Sequence, residues 1–405
     1  MATIRPFRAL RYDPGRFRDL STVLSPPYDV IDAQEQDELY ARSPHNIVRL
    51  ILGKQFPADT PKDDRYSRAA RDFAIWQEQG ILRRDPEPSL YLIDHRFEIE
   101  AQTRSRLGFL AVLEFTDPIE RAVLRHEKTL AAPKEDRTRL LDAVPASLEP
   151  IFLVYPDEDG AIQQVLRART AAAPDAQGSF QAQEIRLWKV TEKDLIDRLR
   201  EALAPAALLI ADGHHRFEVG YSRRSRFNGL MAYFVSMEEP ALVVRPIHRV
   251  VSSGRRLDLE AARGLCAAEP VESLEALTRW LERESGPGRF GWSDGKSFHR
   301  LTVRAERLEK WLQTATVPKP VARLDVSLLH GLLLPVLGFN GATVRYEADA
   351  RKALGALEGT GSLWLLRGIP LADVYDVAAQ GLTLAPKSTF FYPKVPSGLA
   401  INPLI

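Results

Sequence analysis

The hydrophobic positions of the chain recur with two different periods, which predicts strands alternating with helices. Ser89–Glu100 and Arg106–Phe115 alternate apolar and polar residues around a polar stretch, a pattern typical of a β-hairpin. The apolar run Asn46–Leu52 predicts a buried strand. Leu208–Ala211 predicts a short apolar strand, and His214–Arg224 follows it with a helical pattern. We therefore expect a mixed α/β, or α+β, fold.

The length of the chain, 405 residues, suggests two or three folding units at roughly 150 residues each. We expect a main α+β domain over residues 1–253. Residues 254–322 combine helical patterns, glycine-rich turns and short strands, so we expect a smaller inserted α+β subdomain there. Residues 323–405 would form a C-terminal segment that packs back on the main domain.

The composition is that of an ordinary globular protein, with 45% hydrophobic and 27% charged residues. The net charge of +1, from 55 basic and 54 acidic residues, leaves no global field to hold a polyanion and argues against nucleic acid as a partner. Cys266 is the only cysteine, which excludes an intramolecular disulfide and a cysteine-rich zinc site. No apolar run approaches the ~20 residues of a membrane helix, and the charged N-terminus lacks the apolar core of a secretory signal. We expect a cytoplasmic protein without a membrane partner.

The segment Leu208–Glu218 is the strongest candidate for chemistry. The chain leaves a strand, turns at Gly213 and enters a helix, whose N-terminal N–H groups and partial positive charge favour anions. His214, His215 and Arg216 add side-chain donors, and an arginine suits bidentate phosphate contact. The pattern indicates a site for a phosphate-bearing ligand.

Asp212 would repel a bare phosphate, so it needs a histidine, a metal ion or a substrate hydroxyl as a partner. Neighbouring helical residues point about 100° apart, which makes His214 and His215 poor co-ligands of a dedicated zinc ion. Asp212 could instead hold Mg²⁺ that arrives with a nucleotide. The alternative is structural, with an aspartate that caps the helix and histidines satisfied in the core.

His126-Glu127-Lys128-Thr129 is a second candidate, since Glu127 beside His126 could form a general acid–base pair. The basic residues Lys134 and Arg137 downstream could meet phosphate, or the stretch could be a solvated charged helix with local ion pairs. The zinc motif HExxH is absent, because Leu130 follows Thr129.

Three further segments carry candidate residues, each with a structural alternative. His248 and Arg249 end an apolar strand, and loops at strand ends often carry functional sites. The alternative is that they form a partly exposed polar pair. Asp29 follows two prolines on a rigid loop and is either a catalytic carboxylate or a turn cap. Lys387–Lys394 is either an anion-contact strand or an edge strand protected by lysines, and we favour the edge strand.

Several of these segments together resemble a bacterial family of unknown function over nearly the full length of the chain. They are Pro26–Ile31, His126–Thr129, Lys134–Arg137, Ala211–Arg216, Pro246–Arg249 and Lys387–Lys394. In addition, the DGHHR segment is similar to the phosphate-binding signature of the ParB/sulfiredoxin-like superfamily. Within that group it most resembles the free-serine kinases, which carry DGHHR and move a phosphoryl group onto serine. The resemblance implies a ParB/sulfiredoxin-like core that binds nucleotide phosphates.

The leading hypothesis is a kinase-type phosphotransferase that uses ADP or ATP with Mg²⁺ and acts on a small hydroxyl-bearing metabolite such as an amino acid. No Walker A loop, Rossmann fingerprint, GxSxG elbow or protein-kinase HRD/DFG pair is present, so the nucleotide would need an uncommon cradle. The candidate catalytic residues are Asp212, His214, His215, Glu127 and Asp29, with the three carboxylates unranked as the base. The candidate nucleotide-binding residues are Gly213, His215, Arg216, His126, His248 and Arg249. The alternatives are a ParB-like nucleotide-binding regulatory module and a metal-assisted hydrolase.

Overall fold

A computed structural model describes residues 1–99, 101–252 and 257–404. Helices and strands alternate along these ranges, which confirms the predicted mixed α/β class. The strands are β1 Ile4–Arg5, β2 Leu10–Tyr12, β3 Leu82–Arg84, β4 Leu90–Ile99, β5 Gln102–Leu113, β6 Val123–Leu124, β7 Ala146–Ser147, β8 Ile151–Tyr155, β9 Ala176–Phe180, β10 Gln183–Val190, β11 Leu208–Asp212, β12 Leu230–Ser236, β13 Val243–Arg245, β14 His248–Ser252, β15 Cys266–Val271, β16 Arg289–Ser293, β17 Phe298–Val303, β18 Thr343–Glu347, β19 Ser362–Leu365, β20 Phe390–Tyr392 and β21 Asn402–Pro403.

Besides the α-helices, the described residues contain short 3₁₀ turns at Leu20–Thr22, Tyr28–Val30 and Ile119–Arg121. They are α1 Ala33–Arg42, α2 Val48–Ile51, α3 Arg65–Glu78, α4 Ala131–Ala143, α5 Ala161–Arg169, α6 Lys193–Leu203, α7 His214–Ser222, α8 Leu259–Ala262, α9 Leu274–Arg283, α10 Ala305–Thr314, α11 Lys319–Ala322, α12 Asp325–Leu328, α13 Leu334–Val336, α14 Ala350–Gly355 and α15 Leu371–Ala379. A π-helical turn, Leu329–Leu333, separates α12 from α13.

The predicted hairpin is confirmed as the antiparallel pair β4 and β5, in which Leu92 lies opposite Phe109. Glu100, the predicted end of its first strand, lies outside the described residues. The predicted strand Asn46–Leu52 is wrong, because the chain forms the short helix α2 there. The Asn46 side chain accepts a hydrogen bond from the N–H of Val48 and donates to the carbonyls of Thr22 and Leu24, which starts a helical turn inside the core. A short apolar run cannot by itself distinguish a buried helix from a buried strand.

Contacts divide the described chain into two compact units. The first unit comprises residues 1–125, 129–243 and 393–405, and the second comprises residues 126–128 and 244–392. In the first unit, eight strands run in the order β6-β11-β8-β12-β5-β4-β10-β9, and β1 adds to β5. Strand β11 is parallel to β6 and antiparallel to β8, with a register irregularity between Ile210 and Asp212. This irregularity lies directly before the start of α7.

The main core of the first unit lies between this sheet and helices α5, α6 and α7. Phe109 and Phe234 stack on adjacent strands with ring centroids 5.1 Å apart, and Phe217 of α7 joins the same apolar cluster. Burying a phenylalanine side chain contributes about 1.5–3 kcal/mol, so Phe217 fixes the first turns of α7 against the sheet.

The second unit contains a six-stranded antiparallel sheet in the order β15-β17-β16-β19-β14-β18. Helix α9 covers this sheet, with Leu277 packed in a cluster that includes Leu363 and Leu365. Strands from the predicted insert, 254–322, therefore share one sheet with strands from 248–252 and 343–365. The predicted boundary at 253/254 lies outside the described residues, and the three-part division stays a prediction.

Among the described residues, we find no helix with both the length and the apolar character that a membrane span requires.

We predict that Gly108→Ala destabilises the protein by about 1–3 kcal/mol, because overpacking a filled core has this cost. A Cβ at position 108 would lie 2.5 Å from the carbonyl oxygen of Phe234 and 2.7 Å from the ring of Tyr233. Urea unfolding followed by circular dichroism measures the change. Gly15→Ala is the control in the same unit, since the atoms nearest to its Cβ would be those of the Asp13 carboxylate, at 3.5 Å or more. Equal stability of the two variants would show that β5 and β12 can move apart at this point.

Candidate functional site

The strand–turn–helix predicted at the DGHHR segment is present as β11, Gly213 and α7. Gly213 has a φ of 92°, in the left-handed region that residues with a side chain rarely adopt. A Cβ at this position would also lie 3.1 Å from Nε and NH2 of Arg216. The side of Gly213 on which a Cβ would project is therefore covered by the Arg216 guanidinium.

Arg216 folds back from the first turn of α7 onto the end of β11. Its guanidinium donates to Asp212 Oδ2 at 2.5 Å and to the carbonyl oxygen of Pro150. Burial lowers the pKa of Arg216, but the carboxylates of Glu149 and Asp212 outweigh burial, and the net pKa is raised. The sequence suggested a histidine, a metal ion or a substrate hydroxyl as the partner of Asp212, whereas the structure provides Arg216 of the following helix.

Lys394 provides the second cation at Asp212. Its ammonium lies 2.8 Å from Asp212 Oδ1 and also donates to Asp29 Oδ2. Burial lowers the pKa of this lysine, but Asp212 and Asp29 raise it by a larger amount. The net pKa of Lys394 therefore lies above its ordinary value. The structure therefore brings Asp29, Asp212 and Arg216 together around Lys394, and we call these four residues the Lys394 cluster.

We favoured an edge strand protected by lysines for 387–394. Phe390–Tyr392 is a strand of a two-stranded sheet and Lys387 is exposed, but Lys394 does not protect an edge, because its side chain is only 10% exposed. The carboxylates of the Lys394 cluster are more accessible, with 30% of the Asp29 side chain and 20% of the Asp212 side chain exposed. One protonated amine thus lies between two carboxylates that solvent can reach, an arrangement that can hold charge and accept a proton.

Glu149 is a buried residue near the Lys394 cluster that the sequence did not single out. Its Oε1 accepts from the N–H of Tyr28 and from the hydroxyl of Ser397, both at 3.1 Å, and Arg137 lies 3.5 Å from Oε2. The only signal in the sequence was a glutamate two residues before the wholly apolar strand β8. That signal does not identify its partners, which come from other parts of the chain.

The two histidines of the DGHHR segment lie in different environments. His214 is buried. His215 Nε2 accepts the N–H of Leu130 at 2.9 Å, which places the proton of the neutral ring on Nδ1. His215 therefore contacts the residue before α4. Their predicted catalytic and nucleotide-binding roles stay predictions.

Helices α4 and α7 are joined by Glu218, which accepts from Thr129 at 2.6 Å and from Lys134 at 3.2 Å. Burial raises the pKa of Glu218, but these two hydrogen bonds and the charge of Lys134 make its net pKa lower than usual. Arg137, the other predicted phosphate contact of α4, is buried, with its guanidinium 3.8 Å from the centroid of the Tyr28 ring. Lys134 and Arg137 thus have partners within the protein.

The remaining candidates, His126, Glu127, His248 and Arg249, belong to the second unit. His126 Nε2 lies 3.0 Å from the hydroxyl of Thr389, and Glu127 accepts from the N–H of Lys387 at 3.2 Å. These contacts join residues 126–127 to residues 387–389.

His248 and Arg249 are both buried in the second unit. His248 Nδ1 accepts from the N–H of Leu366, and Arg249 donates to the carbonyl of Lys387 at 3.0 Å. Burial, with the charge of Arg249, lowers the pKa of His248 to about 4, and burial lowers that of Arg249 to about 10. His248 is therefore neutral at physiological pH. The predicted nucleotide contacts of both residues stay predictions.

Over the described ranges, no group of three or more His, Cys, Asp or Glu side chains is arranged to hold a metal ion. Asp29 and Asp212 are two oxygen donors of the kind that Mg²⁺ prefers, but Lys394 lies between them. A cation at Asp212 would therefore have to displace the ammonium.

The chain belongs to the family described as "Protein of unknown function (DUF1015)", whose model matches residues 4–327. The KSTFFYPK segment lies beyond the matched residues. A search of the curated proteins found no match.

Solved structures with partial likeness include three proteins. SbnI from Staphylococcus aureus, truncated at its C-terminus, is 11% identical, with 72% of this chain and 87% of that chain covered and a TM-score of 0.36. A mutant free serine kinase in complex with ADP is 13% identical, with 70% and 86% covered and a TM-score of 0.35. A conserved hypothetical protein from Pyrococcus furiosus is 13% identical, with 74% and 97% covered and a TM-score of 0.34. At TM-scores below 0.5, these neighbours assign no chemistry to this chain.

We predict that Lys394→Met destabilises the protein by about 3 kcal/mol at pH 7, because breaking a buried ion pair leaves uncompensated charge. In the wild type, the raised pKa of Lys394 means that its contribution is fully present below the unfolded pKa of about 10.4 and is lost only as pH rises through the folded value. In the variant, the facing carboxylates repel each other, so the loss should shrink towards pH 4 as they take up a proton.

Urea unfolding at pH 7 and pH 4 checks this result. Lys62→Met, at an exposed lysine, is the control and should change stability by less than about 0.5 kcal/mol. A loss for Lys394→Met that is the same at both pH values would contradict the assignment of charge in the Lys394 cluster.

Proposed function

We propose that this chain is a nucleotide-dependent phosphotransferase of the kinase type, which acts on a small hydroxyl-bearing metabolite such as an amino acid. The observation that carries the proposal is the ammonium of Lys394 held between Asp29 and Asp212, where α7 begins. The similarity of the DGHHR segment to the free-serine kinases supports the same class of reaction.

The charges of the Lys394 cluster suit phosphoryl transfer, which depends on positioning and on neutralising negative charge more than on covalent chemistry. Lys394 and Arg216 are two cations on the two sides of Asp212. When a phosphate enters, each cation could exchange a contact with a carboxylate for a contact with a phosphate oxygen. Such an exchange keeps a buried cation paired throughout, which avoids the cost of an isolated charge.

The start of α7 differs from those helix starts that carry a side-chain cap. Asp32, Asp64, Ser273 and Asp349 cap their helices with side-chain hydrogen bonds to first-turn N–H groups. Gly213 has no side chain to do so. A phosphate oxygen at this point would take the place that a capping side chain occupies elsewhere.

Asp29 is our choice among the three candidate bases. It is the more exposed of the two carboxylates at Lys394, and Asp212 also binds Arg216. Glu127 belongs to the second unit. In this mechanism Asp29 takes the proton of the substrate hydroxyl, whose oxygen then bonds to the transferred phosphorus as the bond to the nucleotide breaks. Lys394 stays protonated and offsets the negative charge.

ADP or ATP would supply the phosphoryl group when bound, and Mg²⁺ would enter with it, since Mg²⁺ commonly binds to proteins through few carboxylates and the phosphates themselves. The direct test is incubation of the full chain with ATP or ADP, Mg²⁺ and a panel of hydroxyl-bearing metabolites that includes L-serine and L-threonine. Phosphorus NMR and mass spectrometry detect a phosphorylated product. Nucleotide binding without any product would favour the regulatory module over the kinase.

We predict that Asp29→Asn lowers kcat about 10²- to 10⁴-fold, the usual contribution of a general base, while nucleotide affinity changes little. Steady-state kinetics with the substrate identified by the panel measures both quantities. Asp32→Asn is the matched control. Asp32 follows in the same segment but caps α1 through the N–H of Glu35, and asparagine caps equally well. Equal kcat values for the two variants would exclude Asp29 as the base.

A further inference from the structure

The two chain segments that carry Asp29 and Lys394 are paired with each other a few residues away from the ion pair. The N–H of Ser397 donates to the carbonyl of Ser25 at 2.8 Å, and the N–H of Ser25 donates to the carbonyl of Ser397 at 3.3 Å. A further contact joins both segments close to this bridge.

Glu149 makes that contact with both segments through one oxygen atom. Its Oε1 accepts from the N–H of Tyr28, the residue before Asp29, and from the hydroxyl of Ser397, three residues after Lys394. The Glu149 side chain is 4% exposed. It is thus a third point, set on the loop before β8, to which both segments are tied.

Burying the carboxylate of Glu149 costs desolvation free energy, which its ion pair and hydrogen bonds must offset. A buried ion pair is often no more stabilising than apolar side chains of the same volume. Glu149 has Arg137 3.5 Å away, and Arg137 also covers the ring of Tyr28. Apolar packing at position 149 could fill the same space, but it could not accept the two hydrogen bonds that determine where Tyr28 and Ser397 lie.

We infer that Glu149 is a positioning residue, which holds the carboxylate of Asp29 and the ammonium of Lys394 in register through its hydrogen bonds to Tyr28 and Ser397. Only the catalytic consequence of this role rests on the proposed function. The positioning itself determines how accessible Lys394 is, and this accessibility can be measured without any activity.

The test is amine acylation of the full chain with acetic anhydride, read at Lys394 by peptide mass spectrometry, on the wild type, Glu149→Ala and Glu149→Gln. In Glu149→Ala, Lys394 should be labelled at least about tenfold faster than in the wild type, because local opening exposes a buried amine. Glu149→Gln should restore slow labelling, since the amide oxygen can accept both hydrogen bonds.

Asp157→Ala is the matched control. Asp157 is a buried carboxylate of the same unit that accepts two backbone hydrogen bonds, from Ile162 and Gln163 at the start of α5. It should lower stability without changing the labelling of Lys394. If Glu149→Ala does not fold, Ser397→Ala removes one of the two hydrogen bonds and should increase labelling by a smaller factor.

Kinetics then separate this inference from the proposed function. If the transferase activity exists, Glu149→Ala should lower kcat about 100-fold with little change in KM, and Glu149→Gln should recover most of the loss. Faster labelling in a protein without any transferase activity would support the geometric role and overturn the proposed function. Labelling of Lys394 that is as slow in Glu149→Ala and Ser397→Ala as in the wild type would overturn the role of Glu149, whatever the activity.

Discussion

The first unit depends on the requirement that buried charges be paired. Lys394 stays protonated inside the protein because Asp29 and Asp212 lie on either side of it, and Arg216 also binds Asp212. The end of β11, the residues after the two prolines and the C-terminal segment meet at these ion pairs. Removing any one charge would leave another without compensation, so the geometry of the Lys394 cluster and its electrostatics cannot change independently.

This pairing explains how an aspartate can lie next to a proposed phosphate site. From the sequence, Asp212 was a difficulty, since a carboxylate repels an anion. In the structure two cations contact Asp212, and the proposed phosphate would take over one contact of each cation when it enters. Such a site would be preorganised, because its cations are already placed before the ligand arrives. In the proposed mechanism Asp29, the more exposed of the two carboxylates, would exchange its contact with Lys394 for a substrate proton.

Features that depend on a local pattern of residues could be predicted from the sequence. Features that depend on contacts between distant segments could not. A short apolar strand, a glycine and a periodic stretch identified β11 and α7, and unusual polar residues at turns identified Asp29 and Asp212. Lys394 was interpreted as a solvated edge residue because its partner Asp29 is 365 residues away in the chain. Glu149 has no local signature, since its partners come from distant segments. Asn46 shows the same limit in the fold, because its side chain converts an apolar run into a helix only once the carbonyls of residues 22 and 24 are in place.

The most direct test of the central claim is calorimetric titration of ADP and ATP, with Mg²⁺, into the wild type and into Lys394→Met, at a temperature where both are folded. If the Lys394 cluster binds nucleotide phosphates, the wild type should show saturable binding with a stoichiometry of one, and the variant should bind at least about tenfold more weakly through loss of one charge-assisted contact. Absence of binding to the wild type, or equal affinity of both proteins, would contradict the account and leave the Lys394 cluster as a purely structural set of ion pairs.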